Sequence, residues 1–227
     1  MFPLFMLYGF CVSSGIYMIV SLFDKENKMR KYMFLSGVGP MAYYGGLFCA
    51  DLTLFLITEL CFLIFVLAFQ LKIYTTQMAG FLLIMSSFGA VLIAFTYLFQ
   101  HFFKDSNSAF RFIGYVYLAF GLLLPTAFLL FFGIVTRSLW GLYLGNALCY
   151  FINPFYVFMC GSRNLILVYI MKLYFPNEPI VMIHITPNLV ASVATTTLTL
   201  LGQAVVYMAL VMWKDHRDCN AFKKTGG

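Results

Sequence analysis

Few side chains in this sequence can do chemistry, because only 10% of its 227 residues are Asp, Glu, Lys or Arg. Two of them, Asp51 and Glu59, stand inside a long apolar run. An acid there is costly and normally faces protein or a water-filled cavity. At roughly 100° per residue along a helix, Thr58 falls about 20° and Glu59 about 80° from Asp51. Asp51, Thr58 and Glu59 are therefore candidates for one polar stripe. Such a stripe serves either as a polar site along a translocation path or as a set of helix–helix hydrogen bonds, with Asp51 near the membrane surface. A passive channel would present rings or a filter, and the sequence offers neither.

The second group is a dense charge block, Asp24-Lys25-Glu26-Asn27-Lys28-Met29-Arg30-Lys31, between two apolar runs. Asp24/Lys28 and Glu26/Arg30 have the i,i+4 spacing with the acid first, the favoured order on a helix. Acids lead and bases follow, as the helix dipole prefers. Met29, Tyr32, Met33 and Ser36 share one side, which predicts an amphipathic helix lying on the membrane face over 24–36. Ser36-Gly37-Val38-Gly39-Pro40 ends it, since glycine permits the turn and proline cannot continue a helix. The other reading is an ordinary basic loop.

The remaining reactive residues are scattered. Cys11, Cys49, Cys61, Cys149, Cys160 and Cys219 show no metal-binding spacing and read as reduced thiols packed in helices. His101, His184 and His216 are isolated in sequence and read as satisfied or solvated. Arg163, between Gly161-Ser162 and Asn164, either meets lipid headgroups or snorkels. No G-x-x-x-x-G-K-[ST], GxSxG or HExxH pattern occurs, so the chain is expected to catalyse nothing by itself and to hold no cofactor of its own. The net charge of +6 does not point to nucleic acid, because the bases cluster beside apolar segments.

The elements that position these residues are membrane helices. The chain is 63% hydrophobic, with 27 Phe, and apolar runs of about 20 residues span a bilayer. Five crossings are expected, near 1–23, 43–70, 77–101, 109–135 and 186–213. Pro125 should kink the fourth, and Ser108 is a candidate cap for its start. Residues 138–180 fit no simple span, because Gly141, Gly145, Asn153-Pro154, Gly161-Ser162 and Pro176 interrupt the pattern. A re-entrant hairpin turning near Asn153-Pro154 or Gly161-Ser162 suits them, with its backbone satisfied by protein or water. A sixth crossing is the alternative. The fold class is thus all-α, polytopic, with five crossings, an interfacial helix and a re-entrant hairpin.

Base counting orients it. Lys25, Lys28, Arg30, Lys31, Lys104, Arg111, Lys214, Arg217, Lys223 and Lys224 share one side, and Lys72, Arg137, Arg163 and Lys172 the other. The richer side is expected to be cytosolic. That leaves the N-terminus exoplasmic and the C-terminus cytosolic, in the plasma membrane or an endomembrane. No secretory signal is expected at Met1-Phe2-Pro3.

Ser36-Gly37-Val38-Gly39-Pro40, followed by Tyr43, Phe48 and Asp51, resembles the start of the second transmembrane half in the A subfamily of ABC transporters. Asp24-Lys25-Glu26 fits that family's charged helix, with Asp where Glu is usual. Lys104 to Arg111 is similar to its short cytosolic turn. Asn153-Pro154-Phe155 and Gly161-Ser162-Arg163-Asn164-Leu165 resemble its hairpin motif, and Trp213 to Arg217 its exit toward the nucleotide-binding domain.

The resemblance implies an ABC-2-type, type II exporter-like transmembrane domain over 1–213, followed by a cytosolic linker over 214–227. Asp24, Lys25, Glu26, Lys28, Arg30 and Lys31 would form a coupling helix. Asn153, Pro154 and Arg163 would belong to an exofacial hairpin. Lipid or sterol transport is implied, driven by ATP and Mg²⁺ on a partner nucleotide-binding domain, alongside another transmembrane half and membrane lipids. Such a half would begin with another crossing and an exoplasmic domain, so the chain is expected to be a fragment of a longer polypeptide. The alternative is a non-transporting structural or assembly subunit.

Overall fold

The computed structural model describes residues 9–10, 14–70, 72–75, 77–136, 139–174 and 193–225. Every element among them is helical: α1 (Gly15–Glu26), α2 (Met29–Leu35), α3 (Pro40–Ala68), the single turn α4 (Lys72–Thr75), α5 (Met78–Phe99), α6 (Ser106–Leu118), α7 (Leu124–Thr136), α8 (Leu139–Ile152), α9 (Pro154–Tyr174) and α10 (Val193–Thr225). A 3₁₀ turn, Gln100–Phe102, extends α5, and a π turn, Ala119–Leu123, joins α6 to α7.

Among the described residues four helices are long and apolar enough to cross a membrane: Pro40–Ala68, Met78–Phe102, Ser106–Phe132 and Val193–Arg217. A fifth candidate is the bent pair Tyr143–Ile152 and Pro154–Ile170, whose axes turn by 110° at the break. Much of the expected first crossing, the end of the hairpin segment with Pro176, and the start of the last crossing with His184 lie outside the described residues.

α5 is the central helix. From Ser87 to Tyr97 every residue is buried, because α10, α3, α9 and α1 all pack around it. A helix apolar on all sides suits such a place as well as it suits lipid. α3 packs with one seam, Tyr44, Asp51, Phe55, Glu59 and Val66, which repeats at 7, 4, 4 and 7 residues. Leu54, Ile57, Leu60, Ile64 and Phe65 on its other sides are exposed, as expected of lipid-facing side chains. The approach of α3 to α5 needs glycine at position 89, where a Cβ would lie 2.2 Å from the Phe55 ring.

Around Pro125 the fourth crossing continues: Ser106–Phe132 is one candidate span, with the π turn just before the proline. A wider turn absorbs the residue whose missing N–H would otherwise break the ladder. One local expectation is corrected. Ser108 does not cap that helix, which starts at Ser106, where the Ser106 hydroxyl and backbone N–H both donate to Glu26 Oε2 (3.0 and 3.4 Å).

Candidate functional site

The charge block does not form one helix over 24–36. It breaks at Asn27-Lys28, where Lys28 takes a left-handed backbone (φ 60°). Asn27 prepares the break, its side chain donating to the Phe23 carbonyl at 3.1 Å and competing with the helix ladder. The expected i,i+4 pairs are lost with it. Asp24 instead accepts from the Tyr43 hydroxyl at 2.8 Å, and Glu26 takes Ser106. Lys25 reaches the carbonyls just past the end of α5, Gln100 O at 3.3 Å and Phe103 O at 3.2 Å.

Arg30 is the largest departure. Expected among bases facing a soluble partner, it is 6% exposed and points into the bundle. One guanidinium nitrogen pairs with Asp215 Oδ2 of α10 at 3.1 Å. The other donates to the Ser21 carbonyl (2.6 Å), the Ser21 hydroxyl (3.0 Å) and Gln100 Oε1 (3.0 Å). The Tyr43 and Tyr44 rings lie 5.6 and 5.5 Å from its carbon centre. Burial pulls its pKa down, but Tyr44, Asp215 and Tyr43 outweigh burial and hold it above the ordinary value, so the group stays charged.

The cluster closes on itself. Tyr44 donates to Asp215 Oδ2 at 2.6 Å and accepts from Gln100 Nε2 at 2.9 Å, while Ser21 donates to Gln100. His101, read as isolated, sits with Nε2 3.9 Å from Asp215 Oδ1, too far for a hydrogen bond. One buried node thus ties α1, α2, α3, α5 and α10 together. Sequence spacing could not show it, since Arg30 and Asp215 are 185 residues apart. The available signal was an acid just beyond Trp213 with a base count that otherwise runs positive.

With Arg30 turned inward, α2 shows a different outer face. Met29, Tyr32 and Leu35 are 53%, 67% and 60% exposed, and Lys28 and Lys31 are exposed beside them. The intramembrane acids separate from Thr58. Asp51 accepts from the Tyr97 hydroxyl, and Glu59 from Ser86 Oγ at 2.9 and 3.1 Å. Thr58 is exposed and returns its hydroxyl to its own Leu54 carbonyl at 3.0 Å. The helix–helix reading therefore describes the two acids, and the three-residue stripe does not form.

The bend of the α8–α9 pair falls at Asn153, and Gly161-Ser162 continues within α9. Pro154 takes the first helical position, where its missing N–H costs nothing. Asn153 Oδ1 accepts from the N–H groups of Phe155 (3.0 Å) and Tyr156 (3.4 Å). Its Nδ2 donates to the Phe120 carbonyl in the π turn. On the other side of the break, α10 satisfies the free carbonyls of α8. Gln203 Nε2 donates to Tyr150 O (3.1 Å) and Phe151 O (2.8 Å), and the Tyr207 hydroxyl to Ile152 O (2.7 Å). This is how a broken helix persists in an apolar setting. Arg163 faces outward while Ser162 and Asn164 on either side are buried. Among the described residues no three His, Cys, Asp or Glu side chains group closely enough to hold a metal ion.

These helices and their apolar outer faces define an integral, multi-pass helical membrane protein. A family model for ABC-2 family transporter proteins matches residues 1–213, and the chain belongs to that family. The membership indicates a role in transport. No curated protein matches the chain.

Proposed function

We propose that this chain is the transmembrane part of an ATP-driven lipid or sterol transporter, coupled through residues 24–36 to a nucleotide-binding domain on the same or another polypeptide. ATP and Mg²⁺ would bind that domain and not this chain. In this reading α2 and residues 214–227 face the cytosol, the N-terminus is exoplasmic, and Asn153-Pro154 lies toward the exofacial leaflet. The lipid or sterol cargo rests on the resemblance at residues 24–51.

The observation that carries the reading is the two-sided character of α2. Its outer face offers Lys28, Met29, Lys31, Tyr32 and Leu35 to a partner. Its one inward base, Arg30, is bonded to the body of the bundle. A helix held this way passes a push inward rather than yielding to it. ATP binding then supplies the differential affinity that shifts one transmembrane arrangement to another.

The test is purification from native membranes with an antibody to the Asp215–Gly227 peptide, with ATPase activity measured on the product. An ATP-binding domain, fused or associated in stoichiometric amount, is expected. Lys28→Glu with Lys31→Glu should abolish transport-coupled ATPase activity and leave the fold intact. Full activity in that variant overturns the coupling role. Absence of any ATP-binding chain turns the reading to an assembly subunit.

A further inference from the structure

α10 is held by polar contacts at two separate heights. At one, Asp215 bonds Arg30 of α2 and Tyr44 of α3. At the other, Gln203 and Tyr207 bond the last three carbonyls of α8. Gln203 and Asp215 are twelve residues apart, about 18 Å along a helix. Between and around these points α10 lies along the central helix α5. Beyond Gln203 the contact with the hairpin tightens, because a Cβ at Gly161 of α9 would lie 2.6 Å from Thr196 Cγ2.

We propose that α10 is a strut that transmits displacement of α2 to the α8–α9 break, with Asp215 as its near anchor and Gln203 and Tyr207 as its far anchors. The physical reason is the contrast in stiffness. A continuous helix moves as a unit, whereas the break at Asn153 has no intrahelical bonds across it for Tyr150, Phe151 and Ile152 and depends on α10 for them. A shift of α10 along its axis therefore removes the acceptors' partners at the break first. This goes beyond the coupling reading, since it requires neither ATP nor a partner.

The native thiols report it. Cys149 and Cys160 are buried at 2% and 4% exposure on either side of the break. In a full chain with Cys11, Cys49, Cys61 and Cys219 replaced by serine, N-ethylmaleimide labelling of each thiol in membranes is followed by peptide mass spectrometry. Tyr207→Phe with Gln203→Leu, which together remove the far anchors directly, should raise labelling at both, and Tyr207→Phe alone should raise it less. Asp215→Asn, at the distant anchor, should raise it about fivefold or more, the lower end of ordinary site-to-site coupling. Lys25→Met removes contacts to the Gln100 and Phe103 carbonyls at the same end of the bundle, leaves Arg30, Tyr44 and Asp215 in place, and should change it by less than about twofold. Unchanged labelling in Tyr207→Phe with Gln203→Leu, or in Asp215→Asn, overturns the strut. So does an equal rise in Lys25→Met, which would mean general loosening. None of these readouts depends on nucleotide, so the strut can fail while the transport reading stands.

Discussion

Replacing Arg30 by methionine should be among the most damaging single changes in the charge block, and replacing its neighbour Lys31 among the mildest. Arg30→Met keeps the length of the apolar stem but deletes the ion pair to Asp215 and the donors to Ser21 and Gln100. Asp215, with a side chain 8% exposed, keeps only the Tyr44 hydroxyl on Oδ2 and a histidine 3.9 Å from Oδ1. Leaving one member of a buried pair behind costs about 3–5 kcal/mol. Lys31 is exposed, and a surface change of that kind stays within about 0.5 kcal/mol. Both variants, with Asp215→Leu and the double variant Arg30→Met/Asp215→Leu, would be compared by reversible unfolding in mixed micelles of rising denaturing-detergent fraction. The double variant should recover at least about 1 kcal/mol relative to the sum of the singles, because it removes the stranded charge. Arg30→Lys should fall between, since one ammonium cannot span both acceptor sets as a guanidinium does. If Arg30→Met lies within about 0.5 kcal/mol of Lys31→Met, or the two single losses add, the node is not what holds α2 to the bundle.

Two further outcomes follow from the same geometry. Asn153→Ala should cost about 1–2 kcal/mol from the lost helix cap and speed proteolysis between α8 and α9. Stability and cleavage like the parent's would show that the break does not depend on Asn153. Tyr97→Phe should cost about 1–3 kcal/mol by leaving the buried Asp51 without its hydroxyl donor, whereas Thr58→Val should stay within about 0.5 kcal/mol. Equal losses in the two variants, measured by the same unfolding assay, would contradict the separation of Thr58 from the buried acids.

Membrane class and the number and place of most spans were legible in the sequence because both follow from apolar length, a local quantity. The second, third and fourth expected crossings differ from the observed helices by a few residues at their ends. The turn was legible as one of two places, Asn153-Pro154 or Gly161-Ser162, and the structure bends at the first, where proline and its preceding residue restrict the backbone. The charge block was legible as a feature but not as a structure. Its i,i+4 spacing described the pairs a single helix would make, and those pairs require the helix to continue through Asn27-Lys28.

Tertiary structure decided which partner each polar group takes. A surface ion pair within one helix is worth only a few tenths of a kcal/mol. A charged donor that must be buried is governed by whatever acceptors surround it, at several kcal/mol. Arg30 therefore left Glu26 for Asp215, Asp24 took Tyr43, and Glu26 took Ser106. Asp51 and Glu59 turned to hydroxyls on α5 because that helix covers their seam. The sequence by itself determined where the chain enters an apolar phase, since that depends on the residues taken in order. Only the packed bundle determined how the buried polar groups are satisfied, since that depends on which distant helices meet.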